Sequence, residues 1–302
     1  MKVAAVDIGT NTVRLLLADV VRGEHGARIV NPERHEIITR LGEGLDATGR
    51  LGDEPIERAL AGLSHYSDLI GGASVERRAG VATAATRSAD NGADFIVRVA
   101  DVLDFQPRVI DGVEEARLTF AGATNALAGD EALCVIDVGG GSTEFVAGTD
   151  LPDYAVSIDI GSVRLTERIK SIPLRDPQEI RAHVDRLIRD VQVPYPLDLV
   201  LGSGGTFVTL AAVHLGLATK RLEFQEGTLS LSDLRMTVDR LLQMTVAEIA
   251  ELPAVVAGRA GVLQAGAICA ERAITHIGLA ELTISVSDIL DGLALETASP
   301  TT

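Results

Sequence analysis

The sequence predicts an α/β protein of two domains that share one architecture. Strand-like and helix-like segments alternate along the chain, and its 302 residues suit two domains of ordinary size. One block also occurs twice. Residues 2–18 and 132–147 each run as an apolar strand, an aspartate, a small polar turn and a second apolar strand. Aligned on the aspartates, Asp7-Ile-Gly-Thr-Asn-Thr matches Asp137-Val-Gly-Gly-Gly-Ser at a spacing of 130 residues. A repeat of that period marks a duplicated structural unit.

The elements follow in order. VAAV and VRLLLADV, joined by DIGTNT, form a hairpin, and RHEIITR (34–40) adds a third strand. Ile56, Leu60, Leu63 and Leu69 recur on one face of a helix from about 54 to 70. A strand at 79–85, a helix at about 90–103, a strand at 107–111 and a helix from about 113 come next. The first domain is expected over 1–122 and the second over 123–302, with the junction near Gly122–Asp130. There the strand–turn–strand block restarts. Later, DLVL leads into Gly202-Ser203-Gly204-Gly205-Thr206 and another helix, and a last helix spans about 288–298. The terminal ASPTT (298–302) is expected to fray.

Composition narrows the function. Hydrophobic residues make up 46% and charged residues 23%, as in globular proteins. No apolar run approaches the roughly 20 residues that span a bilayer. Asp7 interrupts the first apolar run too early for a signal peptide, so a cytoplasmic protein with no membrane association is expected. A net charge of −16 argues against binding a nucleic acid polymer, which needs a basic surface. A negative protein still binds phosphate chains where backbone amides, a few arginines and a divalent cation dominate locally. Cys134 and Cys269 lie in apolar stretches and read as core residues in a reducing compartment.

Three glycine-rich loops carry the chemistry. In DVGGGSTE (137–144), Gly139, Gly140 and Gly141 let the backbone approach a ligand, and successive amides form an anion-binding nest. Ser142 adds a hydroxyl, while Asp137 and Glu144 offer carboxylates to a magnesium ion. The related turn of residues 7–12 offers Thr10, Asn11 and Thr12. One such loop alone reads first as a plain hairpin; the second copy reverses that in favour of a pair of phosphate loops. The third, LGSGGTFVTLAA (201–212), places Gly204 and Thr206 at a helix N-terminus, where amides and dipole attract anions. Ser203 or Thr206 as a simple N-cap is the competing reading. No P-loop or dinucleotide fingerprint is present.

In DGVEEARLTFAG (111–122), Asp111 and Glu114 have capping-box spacing, which leaves Glu115 over. Glu115 is either a first-turn acid favoured by the dipole or a base that deprotonates water. Arg87, expected after a strand and before a helix, would reach a phosphate. Arg14 and Arg117 are weaker candidates, and the six histidines show no metal-ligand spacing.

Taken together, VDIGTNTVRLL (6–16), RLGEGL (40–45), ATAATRSADN (82–91), EEARLTFAG (114–122), IDVGGGSTE (136–144) and GSGGT (202–206) resemble the exopolyphosphatase/guanosine pentaphosphate phosphatase family. That family lies within the actin, sugar kinase and Hsp70 superfamily. The resemblance implies two RNase H-like domains with an active site in the interdomain cleft. It makes Glu115 the water-activating base and places Asp137 and Glu144 in catalysis. Asp7, Asp137 and Glu144 become the expected ligands of Mg2+, with Mn2+ as a substitute. Thr10, Asn11, Thr12, Arg87, Gly139, Gly140, Gly141, Ser142, Gly204 and Thr206 would form the phosphate cradle.

The implied reaction releases terminal phosphate from polyphosphate, short chains foremost because the family's extra C-terminal helical domain has no counterpart here. The alternatives are cleavage of guanosine pentaphosphate and a non-catalytic alarmone or nucleotide sensor. A homodimer is expected from the resemblance alone. Where the family often reads Arg-Glu-Gly, this chain has Leu290-Asp291-Gly292, which reads as the loss of a phosphate-contacting arginine. The last helix is expected to pack back on the first domain.

Overall fold

The computed structural model describes residues 1–23, 26–125, 127, 131–171, 176–217 and 227–299. The chain divides into two compact units, one of Met1–Leu127 with Ser287–Thr302, the other of Ala128–Val286. Much of the expected junction and the tip of the expected frayed end lie outside the described residues.

The first unit opens with an antiparallel meander, β1 (Lys2–Ile8), β2 (Thr12–Gly23) and β3 (Gly26–Ile38). Helices α1 (Leu45–Thr48) and α2 (Asp53–Gly72) lead to β4 (Arg77–Ala82), which pairs parallel with β1. Next come α3 (Ala84–Ser88), α4 (Gly92–Leu103), the short β5 (Arg108–Val109) and α5 (Gly112–Thr124). The sheet order is β3-β2-β1-β4-β5.

Strand parity explains the unbroken apolar runs, because both faces of this sheet are covered. Ala4, Val6 and Ile8 of β1 join Val13, Leu15 and Leu17 of β2 in a core with α2 and α4. The alternate residues Val3, Ala5, Leu16 and Ala18 pack with Leu118 of α5 and the C-terminal segment.

The second unit repeats the plan. β6 (Leu133–Val138), β7 (Thr143–Gly148) and β8 (Pro152–Ile158) form its meander. They are followed by α6 (Ser162–Ser171), α7 (Pro177–Ile188), β9 (Leu199–Ser203) and α8 (Gly204–His214). Then come β10 (Gly227–Ser230), α9 (Leu231–Leu242), α10 (Val246–Ala250), α11 (Ala260–Ile277) and β11 (Glu281–Ile284). The order β10-β11-β9-β6-β7-β8 has the same parallel step from meander to crossover strand, β6 to β9. Among the described residues no helix is long and apolar enough to cross a membrane.

After the second unit the chain returns to the first as α12 (Ile289–Ala298), capped by Asp288. Two glycines let α12 meet α5 backbone to backbone. A Cβ on Gly122 would collide with Asp288 O, and one on Gly292 with Leu118 O. Leu290-Asp291-Gly292 has structural work in this fold. Gly292 makes the helix crossing, and Asp291 holds Arg34 at 2.6 Å.

Candidate active site

The two repeated turns close with the same hydrogen bond. Gly9 N donates to Thr12 O at 3.0 Å, and Gly139 N donates to Ser142 O at 3.0 Å. In both units the chain leaving the third strand then straps the turn. Thr39 N and Arg40 N donate to Asn11 O, and Gly42 N donates to Thr10 O. In the second unit Ser162 N donates to Gly139 O, while Val163 N and Arg164 N donate to Gly140 O. Gly161 permits that approach, since a Cβ there would lie 2.7 Å from Gly139 O. A turn with its carbonyls engaged offers an anion its amides and hydroxyls. Thr10, Asn11, Thr12 and Ser142 are all buried in these turns.

The residues just outside each turn differ between the units. Hairpin register sets Asp7 opposite Arg14 in the first and Asp137 opposite Glu144 in the second. Arg14 Nε and Nη2 both donate to Asp7 Oδ2, at 2.9 and 2.6 Å. Asp7 is 3% exposed, and burial raises its carboxyl above the usual range although Arg14 pulls the other way. Its Oδ1 is buried without a hydrogen-bond partner, as is Asn11 Oδ1. Orphaned oxygens that only accept are what a cation or its water shell satisfies.

In the second unit two acids face each other. Glu144 is buried, and its Oε1 accepts from Ser157 Oγ at 2.7 Å. Like charges directly opposite on neighbouring strands repel. A hard divalent ion held by one or two carboxylates together with phosphate oxygens relieves that repulsion, so this pair fits magnesium. Asp137 lies against Gly204, where a Cβ would strike Oδ1 and where φ is +81°. Glycine is therefore demanded at 204 on two grounds. Among the described residues no cluster of three or more His, Cys, Asp or Glu forms a complete metal cage.

Glu115 stands in the first turn of α5. Asp111 Oδ1 accepts from Glu114 N at 2.8 Å, but the expected capping box is not completed: the Glu114 carboxylate pairs instead with Arg108 Nη1 at 2.8 Å. The Glu115 side chain is 13% exposed, and its Oε2 accepts from Arg87 Nη1 at 3.2 Å. Arg87 Nη1 also donates to Ile110 O at 2.8 Å. The expected loop position of Arg87 is corrected: β4 stops where its pairing with β1 ends, at Ala82–Ile8, and Ala84-Ala85 begin a helix, as alanine favours. Thr119, one turn beyond Glu115, has a buried Oγ1 without a partner.

The third loop also differs from expectation. Neither Ser203 nor Thr206 caps α8 with its side chain. Thr206 Oγ1 donates to Val138 O at 2.8 Å and so pins the end of the strand that carries Asp137. Sequence reasoning missed Arg259, whose guanidinium lies directly over Gly205 and would have to shift for a Cβ there. It also missed Asp288, which takes Arg14 Nη1. No local motif signals Arg259 or Asp288. The Asp7–Arg14 pairing, by contrast, follows from centring the hairpin on its turn.

Comparison with known proteins gives the family. Residues 19–299 match the model of the Ppx/GppA phosphatase family. Exopolyphosphatase 2 of Mycobacterium tuberculosis is 39% identical, with 98% of each chain covered. Exopolyphosphatase 1 of Mycobacterium bovis is 27% identical over 98% of this chain and 88% of its own. Among solved structures, an exopolyphosphatase-like protein superposes with a TM-score of 0.88 at 32% identity, covering 98% of this chain and 97% of that one. The Aquifex aeolicus PPX-GPPA enzyme gives 0.79 at 29% identity, covering 98% and 99%. With its two mixed α/β sheets of actin-like fold, this chain belongs to the Ppx/GppA phosphatase family and is a phosphohydrolase.

Proposed function

We propose that the chain is a magnesium-dependent exopolyphosphatase that releases terminal orthophosphate from polyphosphate, with short chains preferred. The observation that carries this reading is the duplicated turn, closed by the same hydrogen bond in both units and flanked in one by two opposed acids. The relatives named exopolyphosphatase support the substrate class.

Glu115 acts as the base. It accepts a proton from water while the water oxygen forms a bond to the terminal phosphorus. The bridging P–O bond breaks, and its electron pair leaves on the end of the shortened chain. Arg87 orients the Glu115 carboxylate through the 3.2 Å hydrogen bond. Thr10, Asn11, Thr12, Ser142 and the amides of Gly139, Gly140 and Gly141 bind non-reacting phosphate oxygens. Asp137 and Glu144, opposite each other in the second unit, would hold magnesium or manganese, which neutralises charge on the phosphate oxygens when bound.

The test is phosphate release from short polyphosphate, long polyphosphate and guanosine pentaphosphate with magnesium, for the native chain and Glu115→Gln. Loss of a positioned base lowers turnover by about 10²- to 10⁴-fold. Glu115-dependent release that is fastest on short polyphosphate is expected. Faster release from guanosine pentaphosphate would change the substrate, and no Glu115-dependent release at all would overturn the catalytic reading.

A further inference from the structure

We propose that Asp288 is a positioning residue of the first phosphate turn: by sharing Arg14 with Asp7, it keeps the second carboxylate oxygen of Asp7 open to a ligand. The inference rests on the reading of that turn as part of the active site.

Strand parity brings the groups together. Asp7 follows Val3 and Ala5, and Arg14 precedes Leu16 and Ala18, on the sheet face packed against α12. Arg34 pairs in register with Leu16 and so lies on the same face. Asp288 caps α12 there and is fixed from several directions. Its Oδ1 accepts from Leu290 N at 2.9 Å, its own amide donates to Asp291 Oδ2 at 3.0 Å, and its carbonyl abuts Gly122 of α5. The remaining oxygen, Oδ2, takes Arg14 Nη1.

The consequence lies in how Arg14 meets Asp7. A guanidinium facing a carboxylate prefers two parallel bonds, one to each oxygen. Here both Arg14 donors to Asp7 end on Oδ2, while the third nitrogen is drawn to Asp288. Oδ1 stays unpartnered in a side chain that is 5% exposed, and Asn11 Oδ1, four residues on, is likewise buried without a partner. Without the Asp288 charge, Arg14 turns onto both oxygens of Asp7 and occupies the one left for a cation or its water. Asp291, one turn further along α12, holds Arg34 at 2.6 Å and provides the contrast. It anchors the same helix in a buried ion pair but takes a different arginine.

The experiment compares the native chain with Asp288→Asn, Asp288→Glu, Asp291→Asn and the double variant Arg14→Lys with Asp288→Asn. Asparagine keeps an acceptor for Leu290 N, so the helix cap survives. Binding of Mn2+ alone is followed by electron paramagnetic resonance without substrate, and the magnesium requirement of phosphate release is measured alongside.

Asp288→Asn is expected to weaken Mn2+ binding about tenfold and raise the half-activating magnesium concentration to match. Asp288→Glu restores both. Asp291→Asn lowers the melting temperature but leaves Mn2+ binding within about twofold. The double variant recovers affinity, because an ammonium cannot fork across both oxygens. Mn2+ binding unchanged in Asp288→Asn, an equal loss in Asp291→Asn, or no recovery in the double variant overturns the proposal. The expected Mn2+ pattern in a protein that releases phosphate from no substrate would instead sink the proposed activity and leave this inference standing.

Discussion

Gly292→Ala tests whether the crossing of α12 over α5 positions Glu115, the proposed base. A methyl at 292 would collide with Leu118 O and approach Leu118 C and Cα at 2.7 and 3.1 Å. These are main-chain atoms, so no rotamer relieves the clash, and the helices part by about 1 Å to regain normal contact distance. Overpacking of this kind costs about 1–3 kcal/mol, against which replacing a helical glycine by alanine returns up to about 1 kcal/mol. A net loss of about 1–2 kcal/mol lowers the melting temperature by roughly 2–8 °C for a unit of this size.

The same displacement reaches the chemistry. Leu118 lies three residues after Glu115 on α5, and a shift of about 1 Å in a catalytic group costs up to about 10²-fold in rate. The expected result is a kcat reduced about 10- to 100-fold with KM little changed. The assay pairs thermal unfolding with steady-state phosphate release and uses Gly71→Ala as the control. Nothing lies within 4 Å of a Cβ at Gly71, in the last turn of α2, so that change is expected to be neutral or stabilising. Gly292→Ala behaving like Gly71→Ala in both measurements would refute the backbone-contact argument.

Two further outcomes are expected. Burial pushes the thiols of Cys134 and Cys269 up to about 12, so at pH 8 about one in 10⁴ is thiolate; native protein should resist a thiol-reactive dye for hours and yield two thiols per chain on denaturation. Arg181 Nε bonds buried Glu271 at 2.8 Å, and Arg181→Met strands that carboxylate with only a longer 3.6 Å contact to Arg272, so urea unfolding should show a loss of about 2–4 kcal/mol without a change in KM.

Much of the fold was legible because its signals are local. The duplicated strand–turn–strand blocks show alternating apolar residues around a fixed aspartate, and both fold as hairpins closed at Gly9 and Gly139. The capping-box spacing of Asp111 and Glu114 was half legible: Asp111 caps the helix through the Glu114 amide, but Arg108, which no spacing announces, takes the Glu114 carboxylate. Pairings across long separations were not legible. Asp288 reaches Arg14 over 274 residues, and only the return of the chain to the first sheet brings them together. Leu290-Asp291-Gly292 shows the limit most clearly. The motif comparison registers only an absent arginine; the fold adds that its aspartate holds Arg34 and its glycine opens the crossing to α5.

An acidic chain that hydrolyses a polyanion also implies an unusual response to salt. The arginines of the first unit's site are already committed: Arg14 to Asp7 and Asp288, Arg34 to Asp291, Arg87 to Glu115. Amides, hydroxyls and the proposed divalent ion are then the main short-range attractions, and these are weakly screened because they act in contact with buried groups. The long-range field of a chain with net charge −16 opposes the approach of substrate instead. At about 10 mM ionic strength that repulsion extends about 30 Å, and at about 100 mM about 10 Å. Raising potassium chloride across that range, with free magnesium held constant, should therefore increase kcat/KM for polyphosphate. An enzyme that captures its substrate on a basic groove shows the opposite sign, since binding there releases counterions and added salt opposes it. A fall in kcat/KM over the same range would mean that exposed arginines dominate capture and that the ion pairs described above open to receive the substrate.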